Sequence, residues 1–337
     1  AWLGARSRRQ WLWLAGLSGV VIAAGLVPVA LPWLALPALF GLLALMLGAG
    51  SVRRAALIGW IGGSGYFAAS LHWIFEPFMV DIARDGWMAP FAVVLMAAGL
   101  ALFWAAAFAL SYWLGWGRAS RALAFAVLLS GAEMLRSYIF TGFPWALIGY
   151  IWTETPQAQI GALIGPHGIT FVTLLSVACS AMLARRGPLW ALAPVPVLVA
   201  VGFWGASLDS PAIPETAPLI RLVQPNVPQR EKWNRDLAPV FFRRQMELTS
   251  ADDGPRPDLV VWPETAIPYW LNNAGDALAA IGSAARGAPV ALGVLREDGV
   301  LAYNSLVVLD PSGGVTQLYD KYHLVPFGEY IPQGKIL

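Results

Sequence analysis

Residues 11–52 contain no charged side chain, a run about twice the roughly 20 residues that a helix needs to cross the hydrocarbon core of a bilayer. A soluble fold has to break such a run with polar positions that face water. The whole chain follows the same pattern. It is 58% apolar and 12% charged, with a mean hydropathy of +0.60, whereas about a quarter of the residues of a soluble domain are charged. Lipid is therefore the expected solvent for much of it. The charge is unevenly spread: residues 1–208 hold 11 basic and 5 acidic side chains, and residues 209–337 hold 11 and 15. Two materials join near Asp209. A net charge of +2 with scattered basic pairs leaves no electrostatic footprint for nucleic acid, and a single cysteine forms no internal disulfide.

Prolines 28, 32 and 37 split the first run into two spans. Further uncharged runs lie at 55–75, 86–117, 155–184 and 187–208, and one more span at about 122–140 carries Glu133 and Arg136 near its end. The expectation is a polytopic α-helical membrane domain of about seven spans over 1–208, a linker at 209–218, and an α/β domain over 219–337. The first run is too long for a secretory signal and reads as a retained helix. Arg6, Arg8, Arg9, Arg53, Arg54, Arg118, Arg121, Arg185 and Arg186 fall on one side of this arrangement, and only Arg84 and Arg136 on the other. Short cytoplasmic loops are rich in Lys and Arg, so the N-terminus is expected in the cytoplasm and the charged domain outside. Glu133 and Arg136, three apart on one helical face, read as a mutually neutralising pair near the outer interface. The Gly- and Pro-broken segment 137–153 reads as an interfacial loop with aromatic anchors, not as an eighth span.

In the charged part, Leu219–Val223, 258–262, 290–295 and 305–309 read as strands, and 241–250 and 276–286 as helices. Asp310-Pro311-Ser312-Gly313-Gly314 is a turn. Strands mixed with helices imply an α/β layer fold. There is no HExxH, no Cys/His cluster, no GxSxG elbow, no P-loop and no dinucleotide fingerprint, so neither a metal nor a cofactor is expected. Two short segments concentrate ionisable residues among strand ends and prolines: Trp262-Pro263-Glu264-Thr265-Ala266, and residues 320–332 with Lys321 and Glu329. A Glu after a strand is more often a solvated loop residue. At the exit of a buried strand it can also be a general base, and a Lys beside it can stabilise an oxyanion.

At these residues the chain resembles the apolipoprotein N-acyltransferases, membrane enzymes that carry a nitrilase-type domain of the carbon–nitrogen hydrolase superfamily. The likeness runs from the stretch between Glu133 and Trp145, through Gln224-Pro225-Asn226, Lys232-Trp233, Val261-Trp262-Pro263-Glu264-Thr265 and Tyr303-Asn304-Ser305, to residues 320–332. Their order behind the apolar spans makes the set specific. The resemblance implies a nitrilase-type αββα fold, here in part, and a Glu-Lys-Cys triad in which Glu264 and Lys321 supply the first two members. It further marks Glu329 as a catalytic position and Trp233 as a substrate-binding one. The implied partners are a phospholipid acyl donor, a diacylglyceryl lipoprotein acceptor and the bacterial inner membrane, with the nitrilase-like domain in the periplasm. The nucleophile is expected some tens of residues after Lys321, whereas 16 residues follow it here. The sole cysteine, Cys179, falls mid-helix among apolar residues and reads as packing. The expectation is thus a fragment that is inactive by itself. A membrane-tethered nitrilase-type amidase and a non-catalytic membrane scaffold or transporter are the alternatives. The apolar loops 75–80 and 267–271 read as interfacial anchors, with gating of lipid entry as the other reading.

Overall fold

A computed structural model describes residues 8–140, 142–209, 212–228, 231–232, 234–325 and 329–330. The chain divides into two compact units, Ala1–Ser210 and Pro211–Leu337.

The first unit is helical: α1 (Arg8–Ala23), α2 (Pro32–Leu47), α3 (Val52–Ser70), α4 (Ala89–Leu114), α5 (Arg118–Arg136), α6 (Gly161–Leu183) and α7 (Val195–Ala206), with 3-10 turns and a one-turn helix in the connections. Among the described residues, segments 82–114, 156–183 and 188–206 are long and apolar enough to cross a membrane. Pro37 does not lie at the break between α1 and α2 but inside α2, which opens on Pro32. The missing N–H is harmless at the first helical position, which fixes where the helix starts. The run 155–184 is not one continuous helix either. It enters through a 3-10 turn and is broken at Gly165, whose φ of 66° is open to glycine, just before Pro166.

The core of this unit centres on Tyr66, Phe67, Trp104, Phe108 and Phe125, with the Tyr66 and Trp104 rings stacked at 5.0 Å. The Glu133–Arg136 pair lies within this core, at 0% and 1% exposure. Arg136 Nη2 donates to Glu133 Oε2 at 3.1 Å, and Trp104 Nε1 donates to Glu133 Oε1 at 2.8 Å. Arg136 also donates to the carbonyls of Phe143, Trp145 and Ala146, and Tyr66 Oη adds a second bond to Ala146 O. The pair is therefore more than self-neutralising. It holds the non-helical stretch before the 3-10 turn Ile148–Trp152 by three of its carbonyls.

Among the described residues, the second unit is built on a five-stranded sheet in the order β1 (Ile220–Leu222), β2 (Leu259–Val261), β3 (Val290–Asp298), β4 (Leu301–Leu309), β5 (Val315–Asp320). β1, β2 and β3 are parallel, and β3, β4 and β5 are antiparallel neighbours. The parallel pairs need crossovers, supplied by α8 (Ala238–Ser250) and α9 (Gly275–Ala284). The core gathers Val260, Trp262, Ile281, Val290, Leu292, Val294 and Val307 beneath these helices. β3 and β4 are longer than their apolar runs, because ladder bonding continues through Arg296–Asp298 and back from Leu301 after the side chains have left the core. β5 is an added strand, reached through the turn at Asp310, whose carboxylate accepts N–H groups from Ser312 and Gly314.

Candidate active site

The sheet brings Glu264, Asn304, Lys321 and Glu329 together at one end. Glu264 follows the short parallel strand β2, and the chain bulges there: Gly293 N donates to Pro263 O, and Ala266 N donates to Gly293 O, so residues 264 and 265 protrude over β3. Thr265 takes a φ of 50°, a left-handed conformation rare for a β-branched residue. The bulge is possible because residue 293 has no side chain. A Cβ there would stand 2.6 Å from both Glu264 Cα and Thr265 N.

One face of α8 holds both flanks of the bulge. Gln245 and Thr249, four apart and buried, point the same way. Thr249 Oγ1 accepts from Trp262 Nε1 at 2.8 Å, and Gln245 Nε2 donates to Ala266 O at 2.8 Å. Lys232 Nζ donates to the Glu264 carbonyl at 3.1 Å. Burial pulls the Lys232 ammonium down from the ordinary lysine range, against a smaller upward pull from Glu264.

Lys321 leaves the end of β5, which is tied down at Asp320. Arg296 Nη2 donates to Asp320 Oδ2 at 2.7 Å and Ser305 Oγ to Asp320 Oδ1 at 2.6 Å, and these bonds hold the Asp320 carboxyl below the usual range. Lys321 N then donates to Asn304 O at 2.8 Å, which sets the lysine beside the asparagine. Lys321 Nζ donates to Glu264 Oε1 at 3.1 Å and to Glu329 Oε1 at 2.9 Å. Asn304 Nδ2 donates to the same two oxygens, at 2.9 Å to Glu329. Glu329 Oε2 accepts the Val325 N–H at 2.8 Å.

Two carboxylates are thus held side by side by one ammonium and one amide. Burial pulls the Lys321 ammonium down, but its bonds to Glu329 and Glu264 more than offset this, and the net shift is upward. For Glu329 burial pushes the carboxyl up, while the Val325 N–H, Asn304 and Lys321 pull it down further, so the net shift is downward. Both directions keep Lys321 and Glu329 charged at neutral pH. Glu264 is the most accessible of the three charged members, with 61% of its side chain exposed, and it opens on a cavity of about 250 Å³ between Trp262, Tyr319 and Lys321. An open carboxylate beside a fixed ammonium can take a proton from a nucleophile while the ammonium faces a developing oxyanion.

The sequence pattern singles out Glu264, Lys321 and Glu329, and the fold unites all three. Trp233 lies outside the described residues. Cys179 is on α6 in the helical unit. Asn304 is legible in the sequence only as part of a motif, and the sequence reading misses the roles of Gly293, Gln245 and Thr249. A polar pair at i, i+4 on an otherwise apolar helix face is the signal that could have found the last two. A Gly293→Ala variant is expected to lose roughly 1–3 kcal/mol of stability through overpacking and to push Glu264 off Lys321. Thermal unfolding and the Lys321 ammonium NMR signal check this; an unchanged midpoint with an unchanged signal contradicts the role of the bulge.

Comparison with known proteins places two families in succession. The apolipoprotein N-acyltransferase N-terminal domain matches residues 18–179, and the carbon-nitrogen hydrolase domain matches residues 219–337. The apolipoprotein N-acyltransferase of Brucella melitensis is 40% identical over 304 residues, covering 84% of this chain and 57% of that protein. That of Caulobacter vibrioides is 36% identical, covering 83% and 56%. That of Bradyrhizobium diazoefficiens is 36% identical, covering 96% and 66%. The chain therefore spans rather more than half the length of the curated relatives it matches.

Proposed function

Because the chain belongs to the apolipoprotein N-acyltransferase family, a transferase family with a carbon–nitrogen hydrolase domain, we propose that it N-acylates the N-terminal diacylglyceryl-cysteine of apolipoproteins with a phospholipid acyl chain. The observation that carries the proposal is the Lys321 ammonium held between Glu264 and Glu329 inside the matched hydrolase segment. The nucleophile is a cysteine thiol from the part of the relatives' length that this chain does not span, not Cys179.

Glu264 takes the thiol proton as the sulfur attacks the ester carbonyl of the phospholipid. Lys321 faces the tetrahedral oxyanion, and Glu329 and Asn304 fix the lysine. The intermediate collapses to a thioester, and the leaving lysophospholipid alkoxide recovers the proton from Glu264. In the second half the α-amine of the acceptor attacks the thioester and Glu264 takes its proton; as the amide forms and the C–S bond breaks, Glu264 returns that proton to the departing thiolate. Trp233 contacts substrate. The helical unit crosses the inner membrane seven times with its N-terminus in the cytoplasm, which puts the hydrolase domain in the periplasm. An apolar bundle suits the reaction, since both substrates are lipid-anchored.

The test offers the full-length protein in vesicles either acyl-labelled phospholipid or small soluble amides. Label retained on the protein as a hydroxylamine-sensitive thioester, from phospholipid only, is expected. Turnover of soluble amides without any adduct from phospholipid would assign the site to an amidase instead.

A further inference from the structure

The bulge after β2 is bonded through its carbonyls to three other parts of the fold. Pro263 O accepts from Gly293 N on β3, Ala266 O accepts from Gln245 Nε2 on α8, and Glu264 O accepts from Lys232 Nζ at 3.1 Å. The third bond is unlike the other two. Its donor is a cation, half-buried in the segment between β1 and α8, and burial there pulls the ammonium down from its ordinary range. A neutral amide caps a carbonyl at a smaller desolvation cost, as Gln245 does two residues on. A lysine at this place therefore points to a role beyond satisfying one carbonyl.

The peptide that Lys232 holds joins Glu264 to Thr265. Its plane is fixed by the backbone angles on either side, and Thr265 sits at a φ of 50°, a conformation that costs a β-branched residue strain. Turning that peptide over would release Thr265 and change the backbone from which the Glu264 side chain springs. The strain and one charge-assisted hydrogen bond are of the same order, so the ammonium is strong enough to keep the peptide in place. Glu264 is then held at both ends, its main chain by Lys232 and its carboxylate by Lys321. The two lysines border different cavities. Lys321 lines the cavity of about 250 Å³ onto which the carboxylate opens, and Lys232 lines one of about 140 Å³ with Phe241, Phe242 and Gln245. We propose that Lys232 is a positioning residue for the general base: it locks the Glu264 peptide so that the carboxylate meets Lys321, and it acts from the far side of the bulge. The proposal rests on Glu264 serving as the base in the reaction argued above.

Full-length Lys232→Met, Lys232→Arg and the double variant Lys232→Met with Glu264→Gln are compared with Glu264→Gln and the unmodified protein. N-acylation of a lipopeptide is measured and, without lipid, so is the rate at which iodoacetamide alkylates the nucleophilic cysteine, resolved from Cys179 by peptide mass. Lys232→Met is expected to lower kcat by about 10–100-fold, the effect of misplacing a catalytic group by about 1 Å, with KM for phospholipid unchanged. Lys232→Arg, which can still donate to the carbonyl, recovers most of the rate. In the Glu264→Gln background Lys232→Met has no further effect, since no base is left to misplace. Alkylation ranks the proteins in the same order. Lys232→Gln, polar but shorter, replaces Lys232→Met in every comparison where the latter does not fold. Losses that multiply in the double variant, a raised KM at unchanged kcat, or an unmodified rate in Lys232→Met overturns the assignment. A protein that transfers no acyl group, but whose alkylation slows with Lys232→Met only while Glu264 is present, contradicts only the proposed function.

Discussion

Glu264→Gln is expected to slow acyl transfer by the full-length protein by about 10²–10⁴-fold, and Lys321→Met by about 10²–10³-fold, the ranges for losing a positioned general base and one oxyanion donor. The two variants are distinguishable. A glutamine at position 264 keeps the shape of the residue and can still accept from Lys321, so it removes basicity with little movement. A methionine at position 321 removes the cation that holds Glu264 and Glu329 together, and the two carboxylates then repel each other. The lysine variant should therefore also displace both carboxylates, whereas the glutamine variant should leave Lys321 and Glu329 in place. Rates of N-acyl lipopeptide formation check both. Wild-type rates in either variant would remove the substituted residue from the chemistry.

Arg136→Met is expected to cost roughly 3–5 kcal/mol of stability, the usual range for breaking a buried ion pair by removing one partner. Glu133 would stay fully buried with its charge facing the Trp104 indole N–H but no cation, and the carbonyls of residues 143, 145 and 146 would lose their shared guanidinium. A double variant, Glu133→Gln with Arg136→Met, should recover part of that loss, since the uncompensated charge is gone. Thermal unfolding in detergent micelles measures this. A single variant as stable as the parent would mean that the pair lies in water and that the non-helical stretch is held by other contacts.

Much of the fold is legible from pattern because lipid and core impose simple ones. Apolar runs in residues 1–208 fall on helices, and the runs at 258–262 and 290–295 contain β2 and lie within β3. Pattern fails where bonding and burial part company. β5, Val315–Asp320, is exposed along most of its length, so no apolar pattern marks it, although it delivers Lys321. The prolines read as breaks, but Pro37 is accommodated inside α2. At the site, Glu264 and Lys321 are legible as ionisable residues at strand ends, but 57 positions separate them, and only the sheet order brings their side chains into contact. Asn304 cannot be singled out, since a polar residue in a strand carries no sign that it will bridge two carboxylates. Gly293 is illegible for a related reason: its importance lies in the backbone that crosses it, which is a property of the packed sheet.

The proposed reaction of this site makes an amide on a lipoprotein. Full-length protein in vesicles is given phospholipid with an isotopically labelled acyl chain and a diacylglyceryl-cysteine lipopeptide, and the peptide is analysed by mass spectrometry. The predicted result is one labelled acyl group on the α-amine of the terminal cysteine, formed by the unmodified protein and lost with Glu264→Gln. An unacylated peptide, or equal acylation by the Glu264→Gln protein, would contradict the assignment.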